Sequence, residues 1–147
     1  MISSINHTGL TVSSLERALA FYRDALGLEV LMEQEKSGGY LAAITGYPNA
    51  HVRMAHLVTP GGQRLELFEY LEPRGRTVPG DPCDVGITHV CLVVADVHAA
   101  YRQLVAAGAE PFSEPVAIDT GANAGACGLY VRDPDGIVLE LFQPAPA

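Results

Sequence analysis

Two histidines and two glutamates stand at matching places in a sequence that repeats itself. Pro60-Gly61-Gly62-Gln63-Arg64-Leu65-Glu66-Leu67-Phe68 recurs as Pro134-Asp135-Gly136-Ile137-Val138-Leu139-Glu140-Leu141-Phe142. His7-Thr8-Gly9-Leu10-Thr11-Val12 recurs as His89-Val90-Cys91-Leu92-Val93-Val94. In each copy a His opens one strand-like run and a Glu lies in the last one. Imidazole and carboxylate together suit Ni, Co, Mn, Fe or Zn as divalent ions. His7, Glu66, His89 and Glu140 are therefore predicted to ligate one divalent transition metal, with water positions left open for catalysis. A single His at a strand start is ordinarily structural, and a single Glu between leucines ordinarily faces solvent. The duplication of both is what favours ligation.

These four side chains need elements that turn them the same way. Residues 5–12 alternate as a strand. Ser13-Ser14-Leu15-Glu16 reads as a capping box. Leu15, Ala18, Leu19, Tyr22 and Leu26 then recur at helical spacing, and Gly27 ends the helix. Strands are predicted over 28–34, 40–45, 52–58 and 63–70. The Pro- and Gly-rich stretch 72–86 reads as a linker. The order then restarts: a strand over 87–95, Asp96 as a helix cap, a helix ending at Gly108, short strands within 111–118, a Gly/Ala-rich loop over 119–128, and a hairpin of 129–132 with 137–143. The expected fold class is α+β, two tandem βαβββ modules (1–71 and 87–147) forming one structural domain. Their curved mixed sheets would form a cup around the metal.

The hairpins can be read to the residue. Asp133-Pro134-Asp135-Gly136 suits a type I turn with Gly136 in the left-handed bulge position. That register sets Tyr130 opposite Glu140 and gathers Leu129, Val131, Leu139 and Leu141 on one face. In the first copy it puts Ala55, Leu57, Leu65 and Leu67 under the helix, and Met54, His56, Glu66 and Phe68 on the other face. Alternation sends His7 and His89 to the same side as the glutamates. His56 thereby becomes a candidate proton shuttle or substrate contact, and Phe68, Tyr130 and Phe142 candidate walls of the cup. Glu69, Glu72 and Glu110 read as solvated charge, Cys91 as packing within an apolar strand, and Cys127 as a loop residue.

Composition removes several function classes. The net charge is -8, from 9 Lys and Arg against 17 Asp and Glu, and the pI is about 4.9. Nucleic acid and anionic lipid both demand clustered cations. No apolar run reaches the ~18 residues of a membrane span, and the N-terminus has no signal-peptide pattern. Three cysteines without a Cys-x-x-Cys pair make neither a disulfide framework nor a zinc knuckle. The expected protein is cytoplasmic and acts on a small molecule. Apolar outer surfaces suggest a homodimer.

His7 to Leu28, Pro60 to Phe68, His89 to Gly108 and Tyr130 to Phe142 together resemble the vicinal oxygen chelate superfamily of glyoxalase I, methylmalonyl-CoA epimerase, fosfomycin-resistance proteins and extradiol dioxygenases. The resemblance implies paired βαβββ modules around a divalent metal, with ligands at His7, Glu66, His89 and Glu140. The His/Glu/His/Glu set is similar to that of bacterial glyoxalase I; the epimerase carries Gln at the position of Glu66. Thr11 replaces an Arg, and Tyr70 an Asn, that glyoxalase I carries, which speaks against glutathione and makes Thr11 a candidate substrate contact. Gly46-Tyr47-Pro48 through Tyr70 resembles a branch of cyclitol (valiolone-type) epimerases.

The resemblance implies proton transfer beside a metal-bound carbonyl through an enediolate. Glu66, Glu140 and His56 are the candidate catalytic residues, and Thr11, Met54, Phe68, Tyr130 and Phe142 the candidate substrate contacts. The leading expectation is a metal-dependent isomerase or epimerase. The alternatives are a glyoxalase-like lyase, an Fe(II) dioxygenase, and a metal-free protein that sequesters a small molecule such as an antibiotic.

Overall fold

Alternating apolar and polar residues build two mixed sheets, each with a parallel pair at one edge. The computed structural model describes residues 1–146 and divides into two compact units, residues 1–77 and Val78 onward. The first unit runs β1 (Thr8–Thr11), α1 (Leu15–Leu19) continuing as a π-helical turn (Ala20–Ala25), β2 (Glu29–Ser37), α2 (Gly39–Thr45), β3 (His51–Val58) and β4 (Arg64–Glu72). Its strand order is β1-β4-β3-β2, with β1 parallel to β4. The second runs β5 (His89–Val93), α3 (Val97–Ala106), β6 (Glu110–Pro111), β7 (Val116–Ala117), β8 (Cys127–Arg132) and β9 (Val138–Gln143). There the order is β5-β9-β8-β6, with β7 also paired to β8 and β5 parallel to β9. This is the expected mixed α+β architecture. Among the described residues, no helix is long and apolar enough to cross a membrane.

The hairpin turns set the register as their residues require. Asp133 N–H donates to Ile137 O, Gly136 N–H donates to Asp133 O, and Gly136 adopts φ 85°. Thr59, Gln63 and Gly62 repeat those two bonds, with Gly62 at φ 83°. Positive φ is cheap only for glycine. Tyr130 consequently pairs with Glu140, and His56 with Glu66. The opposite faces pack: Ala55, Leu57, Leu65 and Leu67 in one unit, and Leu129, Val131, Leu139 and Leu141 in the other, are all buried. Burying each leucine stabilises the fold by roughly 1.5–3 kcal/mol before entropy is counted. A one-residue slip would put the leucines in solvent and the glutamates inside, so the packing holds the site face in place.

Several expectations are corrected. Segment 40–45 is helix α2 rather than a strand: Leu41 is its one buried residue, and Gly46 ends it at φ 75°. Alternation in so short a run could not separate strand from helix. The N-cap of α1 is Ser14, which accepts from Arg17 N–H. The box partner three residues on is thus Arg17 instead of Glu, and Ser13 Oγ accepts from its guanidinium at 2.8 Å. Cys127 begins β8 rather than lying in a loop.

Glu69 is not solvated charge. It is buried, accepts from Leu15 N–H at 3.0 Å, and pairs with Arg53 at 3.4 Å. The second unit uses the same device: Gln143 Oε1 accepts from Val97 N–H at 2.9 Å, at the first residue of α3. In both units, then, the residue after the Glu–Leu–Phe sequence of the last strand ties down the helix that follows the first. Glu69→Ala is expected to cost about 1–3 kcal/mol by removing a buried bond to an orphan amide. Glu69→Gln should cost less, since Gln143 performs the same task. Urea denaturation measures both, and an alanine variant as stable as the parent would remove this role.

Candidate functional site

Parallel pairing brings each His beside its Glu. Gly9 on β1 is the register partner of Glu66 on β4, and His7 stands immediately before β1. His7 Nε2 lies 3.3 Å from Glu66 Oε2. On the other side of Glu66, His56 Nε2 lies 2.7 Å from Oε1. In the second unit His89 Nε2 lies 3.2 Å from Glu140 Oε2. Tyr130 there occupies the place of His56, and its ring meets the His89 ring edge-on at 4.9 Å.

Cys91 is the register partner of Glu140 and is exposed on that face rather than packed in the core. The sheet's outer strand leaves its odd-numbered residues uncovered. Its counterpart in the first unit is Gly9, where an added Cβ would stand 4.0 Å from Glu66 Oε2. The two glutamates therefore sit in different company, one with His56 and Gly9, the other with Tyr130 and Cys91.

The neutral groups beside the glutamates stay protonated. Desolvation, the Glu140 charge and a hydrogen bond to Glu140 push the Cys91 thiol up to about 11. Desolvation first, then Glu140 and Cys91, raises the Tyr130 phenol above its ordinary value. Desolvation first, then Tyr47 and Glu66, does the same for Tyr70. A thiol or phenol with a raised pKa serves as a donor and contact at neutral pH, not as a base or nucleophile. The capacity to accept protons rests with the carboxylates and imidazoles.

The donor pairs fit a divalent cation. His7 Nδ1 lies 2.9 Å from Asn6 Oδ1. In the tautomer that donates there, Nε2 presents a lone pair on the side of Glu66 Oε2, where a cation could be shared. Donors about 2.1 Å from one ion and at right angles stand roughly 3 Å apart, near the 3.3 and 3.2 Å seen in the two pairs. The Asn6 bond is the outer support that metal-bound histidines ordinarily have. Among the described residues, no group of three or more His, Cys, Asp or Glu is assembled as a metal site; the donors come as two pairs.

The first unit also holds a cavity of about 500 Å³. Thr11, Met54 and Phe68 line it together with His7, His56 and Glu66, so every first-half candidate faces one space. In the second unit Phe142 follows Glu140 by two residues on β9 and pairs with Gly128. A Cβ on Gly128 would come within 2.9 Å of Leu141 O, which keeps that position bare beside Phe142. The sequence reading missed the part of the wall formed by α2, with Tyr40, Leu41 and Ile44. Gly46, a helix-ending residue just after the run, was the one local signal for it.

Comparison with known proteins decides the family. The Glyoxalase/Bleomycin resistance protein/Dioxygenase superfamily model matches residues 4–141. The chain belongs to that superfamily. Its relatives in the superfamily include a 2-epi-5-epi-valiolone epimerase from Actinomyces sp, 32% identical across 98% of this chain and 81% of that protein. An ethylmalonyl-CoA/methylmalonyl-CoA epimerase from Cereibacter sphaeroides is 33% identical, covering 97% of this chain and 99% of the relative. The crystal structure of a glyoxalase family protein from Bacillus cereus superposes with a TM-score of 0.86 at 26% identity, over 99% of this chain and 97% of that one. Superfamily membership thus accounts for the duplicated architecture and brings epimerases among the similar proteins.

Proposed function

We propose that this protein is a divalent-metal-dependent epimerase or isomerase that moves a proton next to a carbonyl of a small oxygenated metabolite. The twin His–Glu pair carries the reading: each unit sets an imidazole nitrogen 3.2–3.3 Å from a carboxylate oxygen, the His at the start of the strand parallel to the one that carries the Glu. Two relatives named as epimerases, similar across nearly the whole chain, support this choice of reaction. The proposed metal ligands are His7, Glu66, His89 and Glu140. A divalent ion held by them would act as a Lewis acid on a substrate carbonyl.

The chain's own residues do the rest. One of Glu66 and Glu140 takes the proton from the carbon beside the carbonyl, leaving the bonding pair to delocalise onto the carbonyl oxygen. The other carboxyl group, protonated at the start, gives its proton to the same carbon, and exchange with water then returns both groups to their starting states, so atoms and charge balance over the cycle. Glu140 has the more open side chain, 26% exposed against 14% for Glu66, and its close neighbours Cys91 and Tyr130 are neutral donors. Glu140 is therefore assigned as the primary base. His56, bonded to Glu66 Oε1, relays protons to that carboxylate. Thr11, Met54 and Phe68 contact substrate in the first unit; Tyr130 and Phe142 do so in the second.

The working form is proposed to be a cytoplasmic homodimer. Cys83, Cys91 and Cys127 are all free, as a reducing compartment maintains them. Leu31 and Met32 on edge strand β2, and Val93 on edge strand β5, are exposed apolar surface for a second copy to cover.

The test is elemental analysis joined to isotope exchange. Protein purified without chelator should carry close to one transition-metal ion per chain. In deuterium oxide it should place deuterium at the carbon beside the carbonyl in members of a panel of hydroxylated cyclic ketones and acyl thioesters. Full activity in metal-free protein sinks the metal proposal. Turnover that consumes oxygen and leaves no deuterium sinks the epimerase proposal in favour of an oxygenase.

A further inference from the structure

Helix α2 connects β2 to β3 beside the cavity that Glu66 lines. It leaves β2 through Gly38 and Gly39, at φ 60° and 56°, and rejoins the chain through Gly46 at φ 75°. Leu41 anchors it, packing on a cluster of Ala50, Val52 and Met54 with Phe68 and Tyr70 against it. Its other cavity-lining residues have no such cover. Tyr40 is 58% and Ile44 78% exposed, although both line the cavity. Large apolar side chains open to solvent at a concave site are surface that a ligand's apolar face can cover.

The polar groups of this wall carry no charge. Gln34 projects into the cavity, and its amide donates to the Met54 sulfur at 3.0 Å, a weak acceptor that a ligand hydroxyl can displace. The Tyr70 phenol, with its pKa raised chiefly by desolvation, remains a neutral donor. None of the residues lining the cavity is Lys or Arg. Lys36 lies outside the lining, with its ammonium 5.1 Å over the Tyr40 ring and donating to the Tyr40 hydroxyl. A phosphate or carboxylate lodged against α2, away from the His7–Glu66 pair, would lose hydration and gain no Lys or Arg from the lining.

We propose that α2 is the specificity wall of the site and that it selects an uncharged ring or short-chain portion of the substrate, with an apolar face against Tyr40 and Ile44 and a hydroxyl on Gln34. The assignment rests on the proton-transfer reading of the same site but concerns recognition alone. It places phosphorylated and carboxylated groups away from the α2 side of the cavity. Ile44 and Tyr40 belong to neither the metal pair nor the proton relay.

Isothermal titration calorimetry with two probes tests the wall. One is 2-hydroxycyclohexanone. The other, 3-hydroxy-4-oxocyclohexanecarboxylate, keeps the same hydroxy-ketone head and adds a carboxylate across the ring. The protein as purified should bind the neutral probe at least about tenfold more tightly. Tyr40→Ala should weaken the neutral probe by about tenfold, the worth of one lost apolar contact face. Ile44→Lys, at an exposed position that leaves folding intact by circular dichroism, should shift the preference towards the carboxylate. Equal binding of the two probes, no binding of either, or a preference unmoved by Ile44→Lys overturns the proposal. The two readings fail separately. A neutral preference without deuterium incorporation rejects the reaction and keeps the wall, whereas incorporation with no preference rejects the wall and keeps the reaction.

Discussion

Glu140→Gln is expected to lower turnover by about 10²–10⁴-fold, the usual worth of a general base. The substitution preserves size and one carbonyl oxygen facing His89, so part of the metal content should survive while the proton acceptor is lost. Cys91 and Tyr130 beside it cannot replace it, since both have raised pKa values and stay protonated, and His89 is assigned to the metal. Glu66→Gln should be milder, because an amide oxygen still accepts from His56 and a second carboxylate remains at Glu140. Rates of deuterium incorporation and metal content, measured on both variants, check the assignment. A fully active Glu140→Gln variant would remove Glu140 from the chemistry.

His56→Ala carries the second large effect, an expected loss of about 10–100-fold, as is usual for an outer partner of a metal-binding residue. The deletion frees Glu66 Oε1 from its 2.7 Å contact while leaving His7 at Oε2. Metal content should change little. His56→Gln separates two roles, because Gln can hold the carboxylate by a hydrogen bond but cannot pass on a proton. With His56 in the relay, Gln should keep the metal content and hold the orientation of Glu66 without restoring the rate. Full rescue by Gln would reduce His56 to a positioning residue.

How far the sequence could be read depended on the kind of force holding each element. The hairpin registers were legible because two local constraints coincide there: a glycine forced to positive φ and a strict period of two. Those constraints put Met54, His56, Glu66 and Phe68 on one face, and Tyr130 and Glu140 on one face, before any contact was known. Helix α2 was misread because a seven-residue stretch with one buried residue gives periodicity little to act on. Glu69 was misread because its value lies 54 residues away, at the amide of Leu15. Cys91 was misread because an apolar strand sequence does not reveal whether the face it lies on is covered.

By itself the sequence determined the duplicated modules, the faces of the paired strands and the four metal-ligand candidates. These follow from local backbone chemistry and from a repeat that copies both donors. Tertiary structure alone decided which residue of the parallel strand lies beside each glutamate. It set Gly9 beside Glu66 and Cys91 beside Glu140, although the two halves share one strand pattern. It also made α2 a wall of the cavity and turned Glu69 and Gln143 into helix caps. Those outcomes depend on distances between strands and helices remote in sequence, and local propensity carries no information about them.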